Sequence, residues 1–165
     1  MSAYATASQF AQEYGLSETY QLLRDEQDEL LSPELLGEGL AGAYGADRTE
    51  AEKAVCDAAI GRLASMLVDM SLFMDGYLRS AVTLPLSAAD IAQTPLKTCC
   101  LELTRCQLMD DPDNLTEQQE KRCKRWDVWL KDVAAGVVRL LPAPSSTVRQ
   151  IRWGKVPSIA DGYGR

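Results

Sequence analysis

"TEAEKAVCDAAIGRLASMLVDMSLFMDGYLRS", residues 49–80, is the stretch on which the reading of this chain turns. Its opening, Thr49-Glu50-Ala51-Glu52, has the spacing of a capping box, in which hydroxyl and carboxylate each take up a backbone N–H that the first turn leaves unpaired. Apolar residues then recur at intervals of three and four, and no proline interrupts them. The pattern predicts one helix of roughly 32 residues, about 48 Å long at 1.5 Å per residue. Val55, Ala59, Met66, Met70, Phe73 and Tyr77 form one row. Cys56, Ile60, Leu63, Leu67, Met74 and Leu78 form the row beside it. Together the rows cover roughly 140° of the helix surface. A helix that apolar touches more than one neighbour, so it is expected to be the central element. Met70 and Phe73 are expected in the core, and Phe73→Ala is expected to cost roughly 3–5 kcal/mol.

Helix punctuation extends outward from this element. Downstream, Leu84-Pro85-Leu86 stops the pattern, because Pro85 donates no backbone hydrogen bond and pushes Leu84 out of the helical region. The expected consequence is a sharp turn that lets the next helix pack back, its start marked by Thr94-Pro95 and its end near Met109. Thr116-Glu117-Gln118-Gln119 opens a last helix that stops at Gly136. Upstream, Thr6-Ala7-Ser8-Gln9 is a further capping box, with Gly15 placed as a helix terminator and Ser17 as the cap of a second short helix. Residues 25–48 are acidic at first and glycine-rich later. They read as a surface excursion with a short helical piece after Ser32-Pro33. The expected fold is an all-α bundle of four to five helices over residues 1–141, with residues 142–165 as an extended C-terminal arm.

Composition narrows the function. The 165 residues are 46% hydrophobic and 25% charged, ordinary values for one globular domain. The start, "MSAYATASQFAQEYG", has neither the basic nor the apolar region of a secretory signal, and no run of apolar residues reaches membrane-spanning length. Five cysteines, Cys56, Cys99, Cys100, Cys106 and Cys123, show no C-x-x-C pair and fall in predicted helices. They read as small, buried, reduced residues in a protein made and used in a reducing cytosol, or in something assembled there. The sequence holds no histidine, which removes His-dependent triads and metalloprotease motifs. No phosphate-binding or dinucleotide loop is present. No catalytic residue, metal or cofactor is expected, and the chain is read as a non-enzyme.

Charge is divided along the chain. The arm carries Arg149, Arg152, Lys155 and Arg165 against Asp161, for +3; with a total of −7, residues 1–141 hold −10. The arm has apolar teeth as well, among them Ile151 and Trp153, which face the same way if the segment is extended. Arg149, Ile151, Arg152, Trp153 and Lys155 are therefore the candidate partner-binding residues. The alternative is an arm folded back on its own body. On the last helix, Cys123, Trp126, Leu130 and Val133 lie on one side, opposite Lys121, Lys124, Arg125 and Lys131.

These elements, in order, resemble a family of Mu-like tailed-phage proteins from the head–tail junction. The likeness runs from about Tyr4 to Leu141. It includes Tyr4 and Phe10 ahead of Tyr14-Gly15, then Asp75-x-Tyr77-Leu78, and then Leu84-Pro85-Leu86. Pro95-Leu96 with Cys100 and Arg105 follows, and last Trp129-Leu130 with Gly136. The chain departs from the pattern in a longer acidic stretch at 25–48 and in having Val82-Thr83 where Arg-Tyr is usual. The resemblance implies a head-completion or adaptor protein of the virion neck, forming a ring with twelve copies to match the portal. It implies contacts with the portal and with a stopper or other tail-side protein, and genomic DNA passing through the lumen without sequence-specific binding. An acidic body suits a conduit, since carboxylates repel phosphates. Three other functions compete: a helical DNA-binding or packaging regulator using the basic face of residues 121–131, another neck layer (stopper or tail terminator), and a small enzyme or enzyme inhibitor.

Overall fold

The computed structural model describes residues 3–24, 29–109 and 116–141. Within them the chain is all-α, with seven helices and no strand. The helices are α1 (Ala7–Tyr14), α2 (Leu16–Leu23), α3 (Pro33–Ala41), α4 (Glu50–Leu78), α5 (Ala88–Ala92), α6 (Leu96–Leu108) and α7 (Glu117–Ala134). The count exceeds the four to five expected because the short piece after Ser32-Pro33 is a full helix, α3, and because α5 was not expected at all. Both predicted capping boxes form and Thr116, expected to open the last helix, makes a third, with Thr6, Thr49 and Thr116 each accepting from the N–H three residues on. Gly15 ends α1 at φ +86°, and Gly136 follows α7 at φ +73°, a region that residues with a Cβ avoid. Gly15 also occupies the N-cap of α2, so Ser17 lies inside that helix and caps nothing.

Twenty-nine residues long, α4 is the hub, and α1, α3, α6 and α7 all pack on it. Its second apolar row largely behaves as expected: Cys56, Leu63, Leu67, Met74 and Leu78 are fully buried, and Ile60 is half-buried. Phe10 meets this core from α1, Leu96 and Leu101 from α6, and Leu130 and Val133 from α7. The first row does not follow expectation. Phe73 is 46% exposed, and Met66 and Met70 are only half-buried. The neighbours of α4 cover slightly less of its circumference than its apolar arc spans, and Phe73 sits on the uncovered edge.

The short helix expected after Ser32-Pro33 forms as α3, but the segment around it is part of the core and not a surface excursion; the stretch from Ala41 to Asp47 is largely exposed. Ser32 caps α3, Pro33 takes its first position, and Leu31, Leu35 and Leu36 are buried in the core. Gly39 permits the close approach of α3 to α4. A Cβ there would stand 2.5 Å from Cys56 Sγ and 2.8 Å from Ile60 Cδ1, well inside van der Waals contact.

The α3–α4 connection is clasped by charge. Arg48 donates to Glu38 through Nη2 at 2.9 Å and to Glu52 through Nη1 at 3.4 Å, and the Gly45 N–H donates to Glu38 at 3.0 Å. The Arg48 hydrogen bond and the Gly45 N–H hold the Glu38 carboxyl at about 2. A carboxyl depressed by folding stabilises the fold above its ordinary titration range. That contribution is lost as pH falls from about 4.5 through 2. In Arg48→Ala the Glu38 titration, followed by carboxyl NMR, is expected to move back up toward its ordinary value.

Beyond α4 the chain turns at Leu78–Val82. Leu84 and Leu86 are half-buried against the core on either side of Pro85, and the Leu84–Pro85 peptide is cis. The expected turn is therefore present, but α4 ends seven residues before the proline, and α5, capped by Ser87, intervenes before α6. Pro95 occupies the N-cap of α6, and the Thr94 hydroxyl instead donates back to the Ile91 carbonyl at 2.9 Å.

The cysteines divide. Cys56, Cys99 and Cys100 are free and buried, and burial pushes their thiols up. Cys106 and Cys123, expected to be reduced, instead form a disulfide that joins α6 to α7 across a sequence separation of 17. Helical packing sets their Cα atoms 6.1 Å apart, within bonding range, a proximity that spacing in the sequence does not reveal. Closing a loop of that size stabilises a fold by about 3 kcal/mol on the chain-entropy account. Cys106→Ser is expected to lose that amount in denaturant unfolding without reductant. With reductant present, the variant and the unaltered protein should unfold together.

Candidate interaction surfaces

Residues that carry the family likeness meet inside the body, and they meet as pairs. The Tyr4 hydroxyl donates to the carboxylate of Asp75, and both are buried. The Tyr4 backbone N–H donates to Ser71 Oγ at 3.0 Å, and Ser71 donates to the Leu67 carbonyl at 2.7 Å. Cys100 Sγ lies 3.5 Å from the same hydroxyl. Burial, together with the Asp75 contact, pushes the Tyr4 hydroxyl well up, so it remains a donor. A second pair joins α1, α2 and α6. Arg105 stacks over the Tyr14 ring at 4.9 Å and donates from Nε to Glu18 at 2.6 Å. Both constellations are structural clasps that tie the N-terminal segment to α4 and α6. The Tyr4–Asp75 pair is closed off inside the body, whereas Tyr14, Glu18 and Arg105 border an open cleft of about 610 Å³ that Met109 and Gln119 also line, with the arginine and the carboxylate paired to each other.

The outside of α4 is different. Ala54, Ala58, Gly61, Ser65, Val68 and Leu72 are all exposed, and they recur at alternating intervals of four and three residues. That spacing keeps one narrow stripe in line along a helix, as in a coiled-coil seam. The stripe is uncharged, its residues are small toward the start of the helix, and it ends in Val68 at 37% and Leu72 at 44% exposure. This surface was missed by the sequence reading, although its signal was there: the same 3-4 alternation, on the face opposite the buried row. Beside the stripe runs a groove of about 520 Å³ between α4 and α6, lined by Met66, Asp69, Met70 and Phe73 from one and Leu103, Cys106 and Gln107 from the other.

The basic face of α7 is largely balanced within the helix itself. Lys121 pairs with Glu117, Lys124 with Glu120 and Lys131 with Asp127, each across one turn at 2.5–2.6 Å. Such exposed pairs contribute little stability, but they reduce the net positive field available to a phosphate backbone. The predicted partner-binding residues Arg149, Ile151, Arg152, Trp153 and Lys155 lie outside the described residues. Among the described residues, no helix is long and apolar enough to cross a membrane.

No curated protein matches the sequence. A family profile does, and it spans nearly the whole chain. The match to the family described as Bacteriophage Mu, Gp36 covers residues 4–151, from Tyr4 of the buried clasp past the end of α7 and on to Ile151. The chain thus belongs to the Bacteriophage Mu Gp36 family and is a phage structural or morphogenesis protein.

Proposed function

We propose that the protein is a head–tail adaptor, a non-enzymatic head-completion protein that forms a ring beneath the portal and links the capsid to the tail. The observation that carries this reading is the uncharged, exposed stripe of α4 on a chain of a phage family. A helix that buries one face in its own core and leaves a second, coiled-coil-like face bare is suited to lie against another copy. Repetition of one such contact around an axis closes a ring, for which twelve copies would match a portal. The acidic body, −10 over residues 1–141, suits a channel through which DNA slides without sticking.

In this reading the portal contacts one end of the ring and a stopper or other tail-side protein the other. Genomic DNA passes through without sequence-specific recognition. Internal pairing of the α7 lysines weighs against the DNA-binding regulator, which would need those charges for phosphates.

The test is imaging of virions carrying a gold-labelled tag on this protein. Label at the capsid vertex where the tail joins is the expected result, and label along the tail, over the capsid faces or absent from virions would overturn the assignment. Leu72→Glu, which sets a charge at the apolar end of the stripe on an exposed position outside the core, is expected to leave a folded subunit that no longer enters particles.

A further inference from the structure

The groove between α4 and α6 needs an occupant. Its floor is Leu103, its walls are Met66 and Met70, and its rim is Phe73, held edge-on to Tyr77 at 5.2 Å between ring centroids. Methionine walls are unbranched and adapt to irregular shapes, which suits them to receive a bulky side chain. Asp69 is the only charged residue of the lining, so a fitting ligand is apolar with a positive charge beside it. At about 520 Å³ the groove has room for a tryptophan and a neighbouring aliphatic side chain.

The chain itself contains that ligand. Ile151 and Trp153 alternate with Arg152 and are flanked by Arg149 and Lys155, so an extended strand of this segment offers two apolar teeth on one side and cations around them. We propose that the α4–α6 groove is the docking site for residues 149–155 of an adjacent copy of this chain, with Trp153 against Met70 and Phe73 and an arginine beside Asp69. The proposal rests on the ring reading, because it requires copies held side by side.

Stiffness favours a neighbour over the chain's own body, and reach permits it. Twelve residues separate Leu141 from Trp153 and span up to about 40 Å when extended. That is comparable to the width of about 37 Å expected of a body of this size, so an adjacent copy lies within reach. Pro142 and Pro144 stand at the root of the segment, and prolines there bias the chain toward an extended course rather than a fold back. Charge agrees: the +3 of residues 142–165 meets the −10 of the bodies around it.

A photo-activated benzophenone amino acid placed at position 153, and in a second preparation at position 156, reads the contact directly in particles assembled during infection. Irradiation is expected to yield a dimer of this chain whose adduct maps to residues 66–73 or 103–107. An adduct within one chain, an adduct to a different protein, or the lack of a dimer in both preparations would overturn the proposal. A fluorescent peptide of residues 142–165 gives a second readout on the purified full chain, independent of particle assembly. It is expected to bind at least 10-fold more weakly to Met70→Lys and to Asp69→Lys, and equal binding to both variants would also overturn it. Failure of the virion-labelling experiment with a positive crosslink would remove the neck placement and leave the arm–groove contact standing.

Discussion

Leu67→Ala is expected to lower the free energy of unfolding by about 3–5 kcal/mol, while Phe73→Ala, six residues further along the same helix, should lower it by only about 1 kcal/mol. Both side chains are apolar, and both fall in rows that the helical spacing marks as core. Leu67 is 1% exposed and is surrounded by α4's neighbours. Its removal opens a cavity that packed helices cannot fill without shifting. Phe73 is 46% exposed, so roughly half its transfer energy was never gained, water enters where the ring was, and alanine's better helix propensity offsets part of the loss. Urea denaturation of the two variants in parallel measures the contrast. Equal, large losses would mean that Phe73 is enclosed in the folded subunit and would close the groove as a docking site. The same Phe73→Ala variant is expected to weaken binding of the 142–165 peptide, which separates a role in contact from a role in stability.

Tyr4→Ala should be comparably severe, at about 3–5 kcal/mol, although the residue lies at the edge of the sequence and belongs to no helix. Its ring is buried against the bundle, and its hydroxyl is the donor that satisfies the Asp75 carboxylate inside the fold. Deleting the side chain therefore leaves a cavity and a carboxylate stripped of its hydrogen bond. Tyr4→Phe isolates the second part. Keeping the ring while removing the hydroxyl is expected to cost about 1.5–3 kcal/mol, the range for hydrogen bonds to charged groups. A Tyr4→Phe variant as stable as the unaltered protein would show that Asp75 needs no donor in the fold. Asp75→Asn in the Tyr4→Phe background then completes a double-mutant cycle. Its coupling should be strong, since each group is the other's buried partner.

Local chemistry was legible from residues alone. Thr6, Thr49 and Thr116 each begin a helix because a hydroxyl one residue before a helical run, with Glu or Gln three residues later, satisfies two N–H groups using only neighbours in sequence. The position of α4, its buried row and its rank as the central helix follow from spacing at 3.6 residues per turn, which is likewise a local property. The family likeness was also readable, because it depends on the order of such local elements. Ser17 and Thr94 mark where local reading slipped: each is a good capping residue, but Gly15 and Pro95 stand at the positions the backbone uses.

Tertiary structure alone decided the rest. The short helix after Ser32-Pro33 was readable, but not that it is core: Gly39 is small because α4 passes close by, a fact about a residue seventeen positions away in Cys56. Cys106 and Cys123 bond because α6 and α7 pack side by side, not because of their spacing. Tyr4 finds Asp75 across 71 residues. Phe73 stays in the solvent for the same kind of reason. Periodicity states which face of a helix is apolar, but how much of that face is covered depends on how many neighbours arrive, and their number and placement are set by the packing of the whole chain.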